Sequence, residues 1–126
     1  TAQHSMEHSM RAYHHDLPHG AGLIMISKAF AEYFIERHAC DAQFVKMARA
    51  IGVENAARPE DFIGALVQLQ KDCGVDGLKM SDYGIQPDEC MTLAKGARSM
   101  QGGLYAGNPC ELSDEDCAGI FAKAYR

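Results

Sequence analysis

The chain has 126 residues, 47% of them hydrophobic and 23% charged, with a net charge of −5. That is enough for one compact domain with its own core, and the composition is that of a soluble globular protein. No Lys/Arg cluster offers the grouped cations that phosphate neutralisation needs, which argues against nucleic-acid binding. The strongest apolar run, Leu-Ile-Met-Ile at 23–26, is far too short to span a bilayer.

In chain order, Met6, Met10 and Tyr13 recur at helical spacing and predict an amphipathic helix over 2–13. His14-His15-Asp16-Leu17-Pro18 reads as a connecting turn with solvated histidines. A long helix is expected from Pro18, which suits a first helical turn, to His38, whose cation would complement the helix dipole. Leu23, Ile26, Phe30, Tyr33 and Phe34 form one apolar stripe, widened by Ile24 and Met25, so this helix should be central and buried. A shorter helix is predicted over 41–51, stopped by Gly52. The next starts at Pro59 with Glu60 and Asp61 in its first turn. Its expected core face is Phe62, Leu66, Leu69 and Cys73, and Gly74 ends it.

Residues 75–85, with Gly77 and Gly84, read as loop. Pro87 opens a helix through Met91, Ala94 and Ala97 towards Met100, broken at Gly102-Gly103. Ser113 with Asp116 three residues on resembles a capping box ahead of a last helix reaching Tyr125. No alternating β-branched run and no Asn-Gly hairpin signal occurs. The expectation is an all-α, multi-helix domain of about six helices occupying 1–126 as a single unit. Cys40, Cys73, Cys90, Cys110 and Cys117 are odd in number and form no C-x-x-C pair. They read as buried or half-buried thiols in a reducing cytoplasm rather than as a zinc finger or a disulfide framework.

Chemistry concentrates at the start. Five of the six histidines, His4, His8, His14, His15 and His19, lie within the first nineteen residues. Imidazole is the commonest metal ligand and the usual proton carrier near neutral pH. His4 and His8, four apart, share one helix face, and His19 follows the turn, where it can fold back towards them. Gly20 and Gly22 would let the backbones approach closely. A metal site over His4-x3-His8-x10-His19 is one reading. A second is that His4-Ser5-Met6-Glu7-His8 matches H-x-x-E-H, with two zinc-binding histidines and Glu7 as general base of a small zinc peptidase. That needs a further carboxylate, for which Glu32 or Glu36 can be nominated. A third is a stand-alone helical metal-binding or interaction domain without catalysis. A candidate histidine three residues from Thr1 also suggests a piece of something longer.

Three runs, His4-Ser5-Met6-Glu7-His8, Ala12-Tyr13-His14 and Leu17-Pro18-His19-Gly20-Ala21-Gly22-Leu23, together resemble the C-terminal half of iron-containing alcohol dehydrogenases. Asn108-Pro109 followed by Leu112-Ser113-Asp114-Glu115-Asp116 resembles that family's closing segment, so the likeness covers essentially the whole chain. It implies the helical C-terminal domain of a two-domain enzyme with a dehydroquinate synthase-like fold. The absent N-terminal half would bind NAD or NADP, and Fe²⁺, alternatively Zn²⁺, would be held by one Asp and three His. On this resemblance His4 and His19 are metal ligands. His8 is a catalytic, proton-handling histidine near the nicotinamide that is not a ligand. The remaining D-x3-H ligand pair would lie upstream. The implied reaction interconverts a small alcohol with an aldehyde or ketone, in a cytoplasmic homo-oligomer without nucleic-acid or membrane partners. The chain alone would be inactive. An apolar face over the first helix and the start of the second would promote self-association.

Overall fold

The apolar stripe of the second helix organises the chain. In the computed structural model, which describes residues 1–126, this helix, α2 (His19–Glu36), buries Met25, Ile26, Ala29, Phe30, Tyr33 and Phe34. The Phe30–Phe34 and Tyr33–Phe34 rings meet edge-on at 5.1 Å, a favoured aromatic geometry. Around it stand α1 (Ala2–Tyr13), α3 (Asp41–Ala50), α4 (Asp61–Asp72), α5 (Cys90–Gln101) and α6 (Asp114–Ala124). Short 3-10 turns occupy Met80–Tyr83, Pro87–Glu89 and Gly102–Gly107, and there is no strand. The fold is all-α, as the periodicity predicts, and no helix is long and apolar enough to cross a membrane.

Four helices enclose the core. α1 packs against α2 and α5, and α6 closes the ring by packing on both of those. Met6, Met10, Leu17, Leu93, Ile120 and Phe121 fill the interior. α3 and α4 form an outer pair, with α4 also touching α2. The α1–α5 approach depends on Gly96, where a Cβ would lie 2.5 Å from the Ser9 hydroxyl oxygen and 3.2 Å from the Tyr13 ring.

Several expectations shift. The long helix ends at Glu36, because His38 adopts a left-handed φ of 51° and its Nδ1 lies 2.8 Å from Asp41 Oδ2. His38 therefore serves the turn rather than the helix dipole. α4 begins at Asp61, whose carboxylate accepts from the backbone N–H groups of Ala57 and Arg58. The proposed core face of α4 holds only in part: Phe62 packs against the core beside Phe44, but Leu69 and Cys73 do not. No residue of α4 is fully buried, Leu69 is 46% exposed, and Cys73 just beyond the helix is also exposed. The helix is amphipathic, but only α2 and α3 cover it. The other four thiols are buried or half-buried. The 75–85 segment is pinned by Arg126, which donates to the carbonyls of Asp76 and Leu78, while Met80 and Ile85 insert into the core.

The capping box of α6 forms as read from the sequence. Ser113 Oγ accepts from the Asp116 N–H at 3.1 Å, and Asp116 Oδ2 accepts from the Ser113 N–H at 3.0 Å. Burial works against the Asp116 carboxylate. The Ser113 donors and the nearby Arg37 outweigh it and hold its pKa below the ordinary 3.8. The same corner pushes the Tyr33 hydroxyl up to about 12, through burial and the neighbouring Asp116 charge. A depressed carboxylate stabilises the fold above its unfolded pKa, and that contribution disappears as pH falls through the folded value. Asp116→Asn should therefore cost about 1 kcal/mol at neutral pH, as loss of a cap does. The gap to wild type should close below the ordinary 3.8. Urea unfolding across the acid range checks this, and a gap independent of pH would contradict it.

Candidate metal centre

The i, i+4 spacing of His4 and His8 places both on the outward face of α1, while Met6 and Met10 turn into the core. α1 stops at Tyr13, and the turn closes with Leu17 N–H donating to the His14 carbonyl at 3.1 Å. Leu17 is buried and anchors the turn. Pro18 is the N-cap, with extended ψ of 140°, so the helix begins one residue later than expected, at His19. This brings His19 over α1. The ring centroids of His4 and His19, and of His8 and His19, are 5.6 Å apart, and those of His4 and His8 are 6.5 Å apart.

The start of α1 is held rather than frayed. Ala2 N–H donates to Asn108 Oδ1, Ser5 Oγ to the Gln101 carbonyl, and Gln3 Nε2 to the Leu23 carbonyl. Three long-range hydrogen bonds thus fix the first turn, on which His4 stands.

Beneath the rings lies Glu7, whose side chain is fully buried. Its Oε2 is hydrogen-bonded to His19 Nδ1 and lies 3.7 Å from His8 Nε2. Its Oε1 has no hydrogen-bond partner, the Arg11 Nε being 3.8 Å away. Glu7, His8 and His19 offer donor atoms all within 4.8 Å of one another, and His4 flanks them through its ring contacts. Converging imidazole nitrogens suit Fe²⁺ or Zn²⁺, and the incompletely partnered buried carboxylate beside them supplies compensating negative charge. The residues present therefore fit a divalent transition metal.

The remaining histidines stay apart from this group. His14 is not simply solvated: its side chain is only 15% exposed and its Nε2 lies 2.9 Å from Glu89 Oε1, tying the turn to the start of α5. His15 is exposed. The peptidase arrangement does not assemble. Glu7 is closed off from solvent and bonded to His19, whereas a general base must face the substrate's water. Glu32 and Glu36 lie towards the far end of α2, engaged with Lys123 at 3.0 and 2.6 Å. At about 1.5 Å rise per residue, Glu32 is roughly 20 Å along the helix from His19. Nor is the outward side of this corner apolar, since it presents His4, His8 and Arg11. The apolar surface takes in the start of α2, as expected, but extends to α4 rather than over α1, in a groove lined by Leu23, Ile24, Leu66, Leu69 and Val75.

The family model for the C-terminal part of Fe-containing alcohol dehydrogenases matches residues 1–125. The chain belongs to that family. Among solved structures, its fold is similar to that of an archaeal halo-thermophilic alcohol dehydrogenase from a Red Sea brine pool. The TM-score is 0.86 at 25% identity, over 97% of this chain and 32% of that one. It is also similar to 1,3-propanediol oxidoreductase, with a TM-score of 0.85 at 23% identity, over 98% of this chain and 32% of that one. This alcohol dehydrogenase family chain therefore spans about a third of the length of these structures. No curated protein matches it.

Sequence reading identified the three histidines but took Glu7 only as a possible peptidase base. A signal for its burial was present: Glu7 lies three residues before Met10, on the side of α1 that faces the core. Gly22 completes it. A Cβ there would lie 2.8 Å from Glu7 Cγ and 3.3 Å from Leu17 Cδ2, so α2 comes this close only without a side chain. Gly22→Ala should destabilise the protein by about 1–3 kcal/mol through overpacking. In α4, a Cβ on Gly64 would meet nothing within 4 Å. Gly64→Ala should be neutral or stabilising by up to about 1 kcal/mol. Urea unfolding compares the two, and equal effects would contradict the packing argument.

Proposed function

We propose that this chain is the metal-holding helical half of an NAD(P)-linked dehydrogenase that interconverts small alcohols and aldehydes or ketones. The observation that carries the proposal is the convergence of His4, His8 and His19, from two helices, at one corner. His4 and His19 would hold Fe²⁺, alternatively Zn²⁺, with further ligands and the nicotinamide cofactor supplied by an N-terminal nucleotide-binding half. When bound, the ion supplies Lewis acidity towards the substrate oxygen, and the cofactor carries the hydride.

The chain's own residues supply position and proton handling. The hydrogen bonds at Ala2, Gln3 and Ser5 fix His4 against loss of order at the helix end. The buried turn residue Leu17 sets where His19 enters the site. His8 is partly open, with 36% of its side chain exposed, and stands one turn from His4. On this reading it takes or returns a proton at a ring nitrogen. A cytoplasmic homo-oligomer is the setting this reading carries, and the chain alone would be inactive because the cofactor-binding half is a separate domain.

The test is metal content and NAD(P)-coupled alcohol oxidation by the full-length encoded protein loaded with Fe²⁺ or Zn²⁺. His4→Ala and His19→Ala should each lose bound metal and activity together. His8→Ala should keep the metal but lose about 10²–10⁴-fold in turnover, the usual scale for a proton-transferring group. Retention of metal and activity by a His4→Ala/His19→Ala double variant would overturn the proposal.

A further inference from the structure

Glu7 is the one carboxylate of the chain that is completely buried. A carboxylate so placed needs partners to offset its desolvation. It has one good partner, the Nδ1 of His19. The site is shaped to permit that contact, because at Gly22 even a methyl group would strike Glu7 Cγ and crowd Oε1 at 3.4 Å. Arg11 adds only a distant, half-exposed cation.

A neutral imidazole carries its proton on one nitrogen only, and the lone pair is left on the other. A carboxylate accepting from Nδ1–H selects the tautomer whose Nε2 is free to bind. We propose that Glu7 is a positioning residue that locks His19 as the Nδ1–H tautomer and fixes its ring plane. The Nε2, on a ring 5.6 Å from those of His4 and His8, is thereby left free to bind. This inference rests on the reading of His19 as a metal ligand and deepens it. Glu7 acts from below the rings and does not itself reach the ion, which accounts for its complete burial while the side chains of His8 and His19 remain 36% and 43% exposed. Its second oxygen, Oε1, makes no hydrogen bond, so the anchoring falls on the single contact to His19.

The test uses the full-length protein with ¹⁵N-labelled histidine, first without metal. Long-range ¹H–¹⁵N spectra are recorded as pH is raised until the rings are neutral. An unconstrained neutral histidine side chain prefers the Nε2–H form, so wild-type His19 held predominantly as Nδ1–H is the expected signature. Glu7→Gln keeps a side-chain carbonyl that accepts from Nδ1–H, and should preserve the tautomer. Glu7→Leu should return His19 to Nε2–H. Zinc affinity, read by competition with a chromophoric chelator, should fall about 10–100-fold in Glu7→Leu and largely recover in Glu7→Gln.

A wild-type His19 found mainly as Nε2–H overturns the proposal, and that measurement needs no variant to fold. So does equal loss of zinc in Glu7→Gln and Glu7→Leu, which would make Glu7 a direct ligand. If His19 is held as Nδ1–H yet the wild type binds no zinc, the positioning contact stands and the metal reading falls. The two failures are therefore distinguishable.

Discussion

The structure depends on how closely α1 can be approached from two sides. α2 meets it at Gly22, over Glu7, and α5 meets it at Gly96, over Ser9 and Tyr13. Protein interiors tolerate little excess volume, so these two glycines set the separation of three helices at once. The remaining face of α1 presents His4, His8 and Arg11 outward. Core and site are thus opposite faces of one twelve-residue helix, and a change in its seat would be felt in both.

Much of this was legible from residue spacing. α1 runs over Ala2–Tyr13 as its periodicity indicates, and the Ser113–Asp116 box starts α6 where expected. The i, i+4 histidines share a face and His19 folds over them because helix geometry and a short turn leave few alternatives. What escaped was tertiary. The amphipathic pattern of α4 tells which face is apolar, not whether another element covers it, and Leu69 stays largely exposed. His14 looked solvated because its partner, Glu89, is 75 positions away. Glu7 read only as a possible peptidase base, because its burial depends on α2 lying over it. Its role becomes visible only when the turn at 14–18 and Gly22 are considered together.

Membership of the Fe-containing alcohol dehydrogenase family agrees with this division of labour. The chain spans about a third of the solved structures it resembles. On the proposed reading it contributes a helical corner with a set of imidazoles, and another half of the protein contributes the nucleotide site. The corner is rigid for identifiable reasons: a buried leucine in the turn, three long-range hydrogen bonds on the first turn of α1, and a buried carboxylate under the rings. On the proposed reading, such preorganisation matters because a metal that activates a substrate oxygen must keep its ligands fixed while the substrate changes charge.

The most direct test of the central claim is anomalous X-ray diffraction at the iron absorption edge, on crystals of the full-length protein grown with Fe²⁺. The account predicts one peak about 2 Å from a ring nitrogen of both His4 and His19, an ordinary metal–imidazole bond length, with Glu7 behind His19 and not bonded to the ion. A peak bonded to Glu7 and His8 without His4, or iron located away from this corner, would contradict it.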